Sequence, residues 1–374
     1  MSTIGPAMQA GSALERMAPA QTGEAGEAAV GGDSLAGHRL GYCAGMSGLR
    51  GGVDLGGTKI QAVILDGEER VLGQARRPTP TTGGPELVTA EIAEAVREAA
   101  EEAGVETDSL VGAGVGSPGA VDATAGIVQR AGNLPDWDGP FPLGPTLEAA
   151  LGTKVFLGND VQVGIEAEFA LGAGRDFSSL LGVFWGTGVG GGLVLDRSPW
   201  LGRGAAGEIG HMVIRRGGAR CPCGRHGCME AYAGRAAMEA RARELVARGE
   251  PTDLFRIMEK RGRTRLQSGI WARALEREDP MAVELIERAI LALGAGIASA
   301  VNLLDIEAVV IGGGLGTRLG APYVKRIERA MGPHLFVSDR PPAVSVASLG
   351  DLGGAIGAAL LSGRRASAGH RGLG

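Results

Sequence analysis

The sequence has no long apolar run, few aromatic residues and little cysteine. Its 374 residues include 4 cysteines and 4% aromatic side chains. The longest apolar stretch, residues 289–304, is broken by glycines and is shorter than the ~20 residues that a transmembrane helix needs. The N-terminus lacks the basic region and apolar block of a secretory signal. We therefore expect a cytoplasmic protein with no membrane contact.

An excess of positive charge is also absent. The formal net charge is −5, whereas proteins that hold nucleic acid through phosphate contacts carry many additional lysines and arginines. No nucleic-acid partner is expected. Apolar content of 44% and charged content of 21% are typical of a globular protein. The chain is longer than one core usually supports, which favours two domains.

Cysteine is scarce, but three of the four cysteines lie close together. They are Cys221, Cys223 and Cys228. With His211 upstream, they form the Cys₃His set that completes a tetrahedral zinc site and leaves no position for water. We therefore predict a structural Zn²⁺. A disulfide is the alternative, but the cluster is odd in number and only Cys43 remains to pair. His226, between two of the cysteines, is a competing ligand or a solvated side chain.

A strand–glycine turn–strand pattern occurs twice. Residues 51–65 contain the first copy and residues 180–195 the second. Two such units, each followed by helices and further strands, predict two related α/β lobes with a cleft between them. Backbone N–H groups in glycine turns suit phosphate oxygens. The turns at residues 56–59 and 186–191 are therefore candidate phosphate loops.

The domain boundaries follow from composition. Residues 1–47 are rich in Gly, Ala and Ser and are predicted to be disordered, or to precede a later start at Met46. The predicted small lobe spans 48–158 and the large lobe 159–350, with the zinc loop at 207–230. A last helix within 351–363 is expected to pack back on the small lobe, and 364–374 to form a disordered tail. Residues 251–279 are charged and predict a helical insertion on the surface.

Two glycine patterns match G-x-G-x-x-G, the fingerprint of dinucleotide-binding proteins. One consists of Gly186, Gly188 and Gly191, and the other of Gly114, Gly116 and Gly119. That fingerprint requires a helix directly after the loop. A strand pattern follows the first match and Pro118 interrupts the second, which argues against a nicotinamide enzyme. No G-x-x-x-x-G-K-[ST] motif occurs, so a P-loop enzyme is also disfavoured.

Taken together, the sequence resembles the ROK family of sugar kinases and repressors, within the actin-like/hexokinase ATPase superfamily. The resemblance runs from Gly51 to Leu361. Its motifs are Asp54-Leu55-Gly56-Gly57-Thr58-Lys59, Gly158-Asn159-Asp160, Gly186-Thr187-Gly188-Val189-Gly190, Gly207-Glu208-Ile209-Gly210-His211 and the Cys221–Glu230 block. It implies a two-lobed α/β fold of the actin-like, ribonuclease-H-like ATPase type. It also implies phosphorylation of a hexose by ATP with Mg²⁺.

The resemblance assigns nucleotide-binding residues to both turns and to a third glycine run. They are Asp54, Gly56, Gly57, Thr58, Lys59, Gly186, Thr187, Gly188, Gly313 and Gly314. The first turn would hold phosphate, with Asp54 near Mg²⁺. The third run, Gly312 to Gly314, would lie under the adenosine.

The resemblance also assigns the catalytic base to Asp160. Phosphoryl transfer needs a carboxylate that accepts the proton of the attacking hydroxyl. Helix propensity alone predicts that Asn159 or Asp160 caps the following helix. The remaining sugar-binding residues implied are Gly119, Asn133, Asn159, Glu208, His211 and Glu230. For the two glutamates, a cap or a solvated face is the alternative.

Three functions remain to be compared. A sugar kinase is favoured, with glucose ahead of N-acetylglucosamine, N-acetylmannosamine, fructose and mannose, and with ATP or polyphosphate as the donor. A ROK-type repressor would carry a helix-turn-helix before the first loop, where this sequence is aperiodic. A nicotinamide enzyme is third. We expect a homodimer or homotetramer, and sugar and ATP as the small-molecule partners.

Overall fold

Two five-stranded sheets with the same strand order form the framework of the protein. The computed structural model describes residues 48–132 and 134–371, with side chains up to Arg364 in the last helix. The strands are β1 (Arg50–Leu55), β2 (Lys59–Leu65), β3 (Val71–Pro78), β4 (Gly112–Ser117), β5 (Ala120–Asp122), β6 (Ile127–Gln129), β7 (Val155–Asn159), β8 (Leu180–Trp185), β9 (Val189–Leu195), β10 (Ser198–Trp200), β11 (Ala308–Gly312) and β12 (Ala343–Val346).

The sheet topology confirms the duplication predicted from the two glycine turns. The first sheet has the order β3-β2-β1-β4-β7 and the second has the order β10-β9-β8-β11-β12. In each sheet the central strand, β1 or β8, pairs antiparallel with the second strand of this order and parallel with the fourth. The small hairpin β5-β6 stands apart. The fold is therefore the mixed α/β, actin-like ATPase architecture that the sequence predicted.

Both glycine turns connect antiparallel strands. Leu55 pairs with Ile60 across the first turn, and Trp185 pairs with Val189 across the second. The other G-x-G-x-x-G match, which ends at Gly119, is followed by strand β5. Because no helix follows either match, the dinucleotide-binding alternative is wrong.

The helices cover the sheets and separate them. They are α1 (Gly84–Glu102), α2 (Leu143–Leu151), α3 (Asp160–Ala170), α4 (Glu230–Ala233), α5 (Arg235–Ala247), α6 (Leu254–Lys260), α7 (Ser268–Leu275), α8 (Pro280–Leu304), α9 (Gly313–Met331) and α10 (Gly353–Arg371). Helix α3 contacts strands of both sheets and also packs on α10. A Cβ at Gly114 would lie 1.8 Å from the Ala358 carbonyl oxygen, so only glycine allows α10 to approach the first sheet so closely.

The charge of segment 251–279 predicted a helical insertion on the surface. The segment is helical, but it is part of the core. It forms α6 and α7, and Leu266, Ile270 and Trp271 are all buried in the core of the second half of the chain. Arginine and glutamate residues cover the outer side of these helices. The short apolar faces of α6 and α7 could not be recognised in the sequence because charged residues surround them.

The last helix is longer than predicted. Helix α10 runs to Arg371, so residues 364–371 are helical and do not form the start of a tail. No proline interrupts this segment, and the Arg364 guanidinium contacts the buried carboxylate of Glu166 on α3. That ion pair holds the helix onto α3 beyond its apolar part. Residues 1–47 lie outside the described part of the chain, as does Asn133.

Helices of the described ranges are too short or too polar to span a bilayer. Even α8, which has 25 residues and a largely buried apolar face, does not meet the requirement. Its N-terminus is capped by Asp279, whose carboxylate accepts a hydrogen bond from the Ala282 N–H, and Pro280 occupies the first helical position. The apolar residues of α8 build the core beneath the second sheet.

Candidate active site

A cleft of about 370 Å³ opens where β7 and β8 end and α9 begins. Its walls include many of the residues predicted from the sequence. Those residues are Asn159, Asp160, Gly186, Thr187, Gly188, Glu208, His211, Glu230 and Gly313. They come from five separate segments of the chain. The fold therefore brings the second glycine turn, the candidate base and the candidate sugar ligands into one space.

The sequence left open whether Asn159 or Asp160 caps the helix that follows, and the structure assigns the cap to Asn159. Asn159 is the N-cap of α3, and its Oδ1 accepts hydrogen bonds from the N–H groups of Val161 at 3.1 Å and Gln162 at 3.2 Å. Its amide nitrogen makes no hydrogen bond to any described residue. Asp160 accepts a hydrogen bond from the Val161 N–H to Oδ1 at 2.9 Å, and no other described residue donates to its carboxylate apart from its own backbone N–H. Its other carboxylate oxygen is therefore available to a ligand.

The electrostatic environment of Asp160 suits a proton acceptor. Burial raises the pKa of its carboxyl group, and the nearby negative charge of Glu208 adds to the effect. The hydrogen bond from the Val161 N–H acts in the opposite direction. A carboxylate with a raised pKa is a stronger base than one in water.

The four predicted zinc ligands converge on one point. The ligand atoms of His211, Cys221, Cys223 and Cys228 all lie within 4.8 Å of one another. The Cys223 and Cys228 sulfurs are 3.8 Å apart, and the Cys221 sulfur is 3.7 Å from His211 Nδ1. A tetrahedron with Zn–S bonds of about 2.3 Å has edges of about 3.8 Å. The three thiols are free, so the disulfide alternative does not describe this loop.

His226 is not part of this cluster. It is exposed and lies at the tip of the loop, where Arg220 pairs with it in an isolated β-bridge.

Two of the cysteines, Cys221 and Cys228, are buried, and burial raises the pKa of the Cys221 thiol to about 12. Such a thiol stays protonated at neutral pH unless a cation displaces the proton.

His211 connects the cysteine cluster to the cleft. Its Nδ1 faces Cys221, while its Nε2 lies 3.8 Å from Glu208 Oε2 on the cleft side. A ligand placed beside Glu208 would therefore also face the second ring nitrogen. The orientation of the imidazole is set by the cluster, as in other sites where a metal ligand also serves a substrate.

Glu230 connects the cluster to the second glycine turn. Its Oε2 accepts a hydrogen bond of 2.9 Å from the Val189 N–H, and its Oε1 lies 3.7 Å from the Cys221 sulfur. A Cβ at Gly188 would be only 2.2 Å from Glu230 Oε2, which explains the glycine at that position. One carboxylate thus fixes the turn, the cysteine loop and the cleft wall together.

Gly313 and the start of α9 form the far wall of the cleft. Gly313 has φ of +78°, and a Cβ there would lie 2.7 Å from the Trp185 carbonyl oxygen. Gly314 follows in the first turn of α9 and its N–H lies next to Gly186. The free N–H groups at a helix start favour a negatively charged or polar ligand.

Asp54 and the first glycine turn do not line this cleft, but Asp54 is close enough to Asp160 for their charges to interact. The pKa of the Asp54 carboxyl is raised to about 6: burial is the main cause, the negative charge of Asp160 adds to it, and the positive charge of Lys59 opposes it. Lys59 also forms an ion pair of 3.2 Å with Asp351. Gly56 closes the turn by donating its N–H to the Lys59 carbonyl, while Gly57 and Thr58 are exposed. Asp54 and Asp160 are close enough for one carboxylate to raise the pKa of the other. Carboxylate oxygens grouped in this way suit a hard divalent cation.

We expect Asp54→Asn to stabilise the ligand-free protein at alkaline pH. Because the folded-state pKa is raised, the native state holds this proton more tightly, and the parent protein loses stability as pH rises from about 4 to about 6. The loss is up to about 3 kcal/mol, at ~1.4 kcal/mol per pKa unit. Thermal melting at pH 4.5 and pH 8 measures it. The gain in Tm from the substitution should be small at pH 4.5 and largest at pH 8; an equal gain at both values would contradict this account.

Gly119 is the one described sugar-binding candidate that does not line the cleft. It has φ of +86°, and a Cβ would lie 2.7 Å from the Gln129 carbonyl oxygen. Its glycine is required by the backbone conformation of the turn before β5. Asn133, the other candidate from this region, is outside the described residues.

Arg235 and Ser268 were not singled out from the sequence. The Arg235 guanidinium donates to Thr187 Oγ1 at 2.8 Å and to Ser268 Oγ at 3.1 Å. Both lie beside the second glycine turn, although Ser268 belongs to α7, more than 80 residues along the chain from that turn. Arg235 lies only five residues after Glu230, and this proximity was the available signal.

Comparison with known proteins places the chain in a family. The sequence profile of the ROK family matches residues 50–365. A glucokinase of Thermotoga maritima is 33% identical over 268 residues, which are 71% of this chain and 81% of that protein. The ROK hexokinase of Thermus thermophilus superposes with a TM-score of 0.71 at 35% identity, covering 86% of this chain and 99% of the other. A Streptomyces griseus ROK glucokinase in complex with glucose and AMPPNP superposes with a TM-score of 0.70 at 32% identity. That match covers 83% of this chain and 98% of the other. The chain therefore belongs to the ROK family.

Proposed function

We propose that this protein is a sugar kinase that transfers the γ-phosphoryl group of ATP to the 6-hydroxyl of glucose. The observation that carries the proposal is the placement of Asp160 in one cleft with the second glycine turn and the Glu208–His211–Glu230 set. Membership of the ROK family and similarity to glucokinases, one of them holding glucose and AMPPNP, support it.

In this mechanism Asp160 is the general base. Its free carboxylate oxygen accepts the proton of the sugar hydroxyl as that hydroxyl attacks the γ-phosphorus. The hydrogen bond from the Val161 N–H fixes the other oxygen, so the carboxylate cannot rotate away. Burial of Asp160 strengthens it as a base, as its raised pKa indicates.

The two glycine turns bind the phosphate chain through their backbone N–H groups. Asp54, between the first turn and Asp160, would hold Mg²⁺, which neutralises phosphate charge when bound. Lys59 is close enough to Asp54 to lower its pKa, so both the cation and the lysine can balance the carboxylates. Gly313 and Gly314, at the start of α9, face the adenosine.

The sugar is held by groups whose hydrogen-bonding capacity remains unused. Asn159 offers its amide N–H₂ group because its oxygen caps α3. His211 offers Nε2, and Glu208 and Glu230 offer carboxylate oxygens around the same space. A hexose presents hydroxyls on several sides of its ring, so donors and acceptors from separate segments can each contact a different one.

We also propose that Zn²⁺ occupies the Cys₃His cluster. The spacing of the ligand atoms fits a tetrahedral site with three sulfurs and one nitrogen, as described above. All four positions are taken by protein atoms, so the ion is structural. It would hold in place the two segments that carry His211 and Glu230.

We expect Cys221→Ser to lower both the melting temperature and the affinity for glucose. Loss of one ligand weakens the metal site, and the cleft wall that depends on it loses its orientation. Elemental analysis of untagged protein should give one zinc per chain for the parent and clearly less for the variant. His226→Ala is the matched control, since that histidine lies in the same loop but outside the cluster, and it should keep zinc and activity. Active parent enzyme without zinc would contradict the proposal.

A coupled ADP-release assay with a panel of hexoses tests the function and the substrate. Glucose should have the highest kcat/KM, ahead of N-acetylglucosamine, N-acetylmannosamine, fructose and mannose. Because polyphosphate yields no ADP, the donor is identified by comparing the sugar phosphate formed with ATP and with polyphosphate. ADP release that is the same with and without every sugar would overturn the proposal. A homodimer or homotetramer in the cytoplasm remains our expectation, and the three free thiols of the zinc loop suit that reducing compartment.

A further inference from the structure

Arg235 is the first residue of α5 and makes two hydrogen bonds to the second glycine turn and one to Ser268 of α7. Its backbone N–H donates to the Gly186 carbonyl at 3.1 Å. Its guanidinium donates to the hydroxyl oxygens of Thr187 and Ser268, at 2.8 and 3.1 Å. The side chain thus lies at the edge of the turn, on the side where Ser268 approaches Gly314.

The charge of Arg235 is not balanced by an acid. Among the residues described, no carboxylate forms an ion pair with it, and both of its side-chain partners are neutral hydroxyls. The nearest influential carboxylate, Glu239, is already engaged by Arg243 and by the Leu266 N–H. Burial lowers the pKa of Arg235, and the positive charge of Arg265 lowers it further. A partly buried cation beside a second cation is stabilised by an anion from outside the chain.

The hydrogen bond to Thr187 also has a direction. An arginine N–H can only donate, so Thr187 Oγ1 must be the acceptor and its own hydrogen is left to point elsewhere. Thr187 is exposed and lines the cleft. Its hydroxyl hydrogen is therefore free to be donated to a ligand in the cleft.

We propose that Arg235 is a specificity-determining residue for the phosphoryl donor, with its guanidinium paired to the phosphate chain of a nucleoside triphosphate at the second glycine turn. This inference rests on the proposed kinase function. Arg235 supplies the positive charge that the glycine N–H groups lack, and it turns the Thr187 hydroxyl toward the same phosphates. Arg235 contributes nothing to the binding free energy of the uncharged adenosine part of the nucleotide.

The test compares binding of a charged and an uncharged ligand by calorimetry. Mg-AMPPNP and adenosine are titrated into the full-length parent protein and into Arg235→Met, Arg235→Lys and Arg241→Met. Arg241 is a matched control on the same helix, where it pairs with Glu244. We expect Arg235→Met to weaken AMPPNP binding about 10- to 100-fold, as for loss of a charge-assisted hydrogen bond, and to leave adenosine binding unchanged. Arg235→Lys should recover part of the loss, because lysine keeps the charge but not the fork.

The remaining outcomes separate this role from a structural one. KM for glucose should be unchanged in Arg235→Met, while KM for ATP rises with the dissociation constant of AMPPNP. An equal loss of adenosine and AMPPNP affinity would mean that Arg235 only supports the turn, and would overturn the inference. Unchanged AMPPNP affinity would overturn it while the kinase function stands. A parent protein that binds neither AMPPNP nor ADP and shows no sugar-dependent turnover would overturn both.

Discussion

Asp160→Asn is expected to lower kcat for glucose phosphorylation by at least ~10²-fold, the usual minimum for a positioned general base. The amide has the same shape as the carboxylate and can keep the hydrogen bond from the Val161 N–H, so α3 should start as before. Glucose affinity should be nearly unchanged. Steady-state kinetics and a direct glucose-binding measurement give the two values.

Glu208→Gln is the control for charge in the same cleft. It removes one negative charge near Asp160 but leaves the base in place. We expect it to raise KM for glucose while kcat falls far less than in Asp160→Asn. If Asp160→Asn turns over at a near-normal rate, Asp160 is not the base and the mechanism is wrong.

Removing one hydroxyl from the sugar is expected to cost up to roughly 10⁴ in kcat/KM, far more than a single hydrogen bond in water. The reason is that closure of the cleft would bury Glu208 without its partner, and would leave Glu230, which already accepts the Val189 N–H, one partner short. The measurement is kcat/KM for glucose and for its 2-, 3- and 4-deoxy forms. If all three react like glucose, the closed polar pocket proposed here is wrong.

Glu230→Gln provides the matched comparison for this series. The amide can still accept the Val189 N–H, so the second glycine turn should remain in place. One of the deoxy sugars lacks the hydroxyl bound by Glu230. For that sugar, the ratio of kcat/KM for glucose to kcat/KM for the deoxy form should be smaller in Glu230→Gln than in the parent enzyme. Solution scattering with and without glucose tests closure itself, which should appear as a contraction of the profile.

The parts of the fold that the sequence predicted are those with strong local patterns. Apolar strands ending in glycine turns predicted β1-β2 and β8-β9, since both the alternation and the turn residues point to hairpins. The spacing of the cysteines predicted the cluster because three soft ligands and a histidine have one common use. Helix α8 also carries a local start signal, since proline occupies its first position.

The parts that were missed depend on contacts between distant segments. Trp271 and its neighbours are buried although the surrounding sequence is charged, because the short apolar faces of α6 and α7 meet the core only in the folded chain. The end of α10 contacts α3 through the ion pair between Arg364 and Glu166, which are about 200 residues apart in the chain. No local rule predicts either result.

The candidate site shows the same division. Asp160 and the glycine turns could be identified from motifs, but the division of labour between Asn159 and Asp160 could not. It depends on which side chain caps α3, and the dihedral angles of Asn159 decide this. Arg235 was missed because its position five residues after Glu230 is a weak signal, and its partners, Thr187 and Ser268, lie in distant parts of the sequence.

The central claim is tested most directly by identifying the products of the parent enzyme and of Asp160→Asn. Each is incubated with Mg-ATP and glucose, and the reaction is followed by ³¹P NMR. The account predicts glucose 6-phosphate and ADP in equal amounts from the parent, and neither at a comparable rate from the variant. Inorganic phosphate in place of the sugar phosphate, or equal rates from the two proteins, would contradict it.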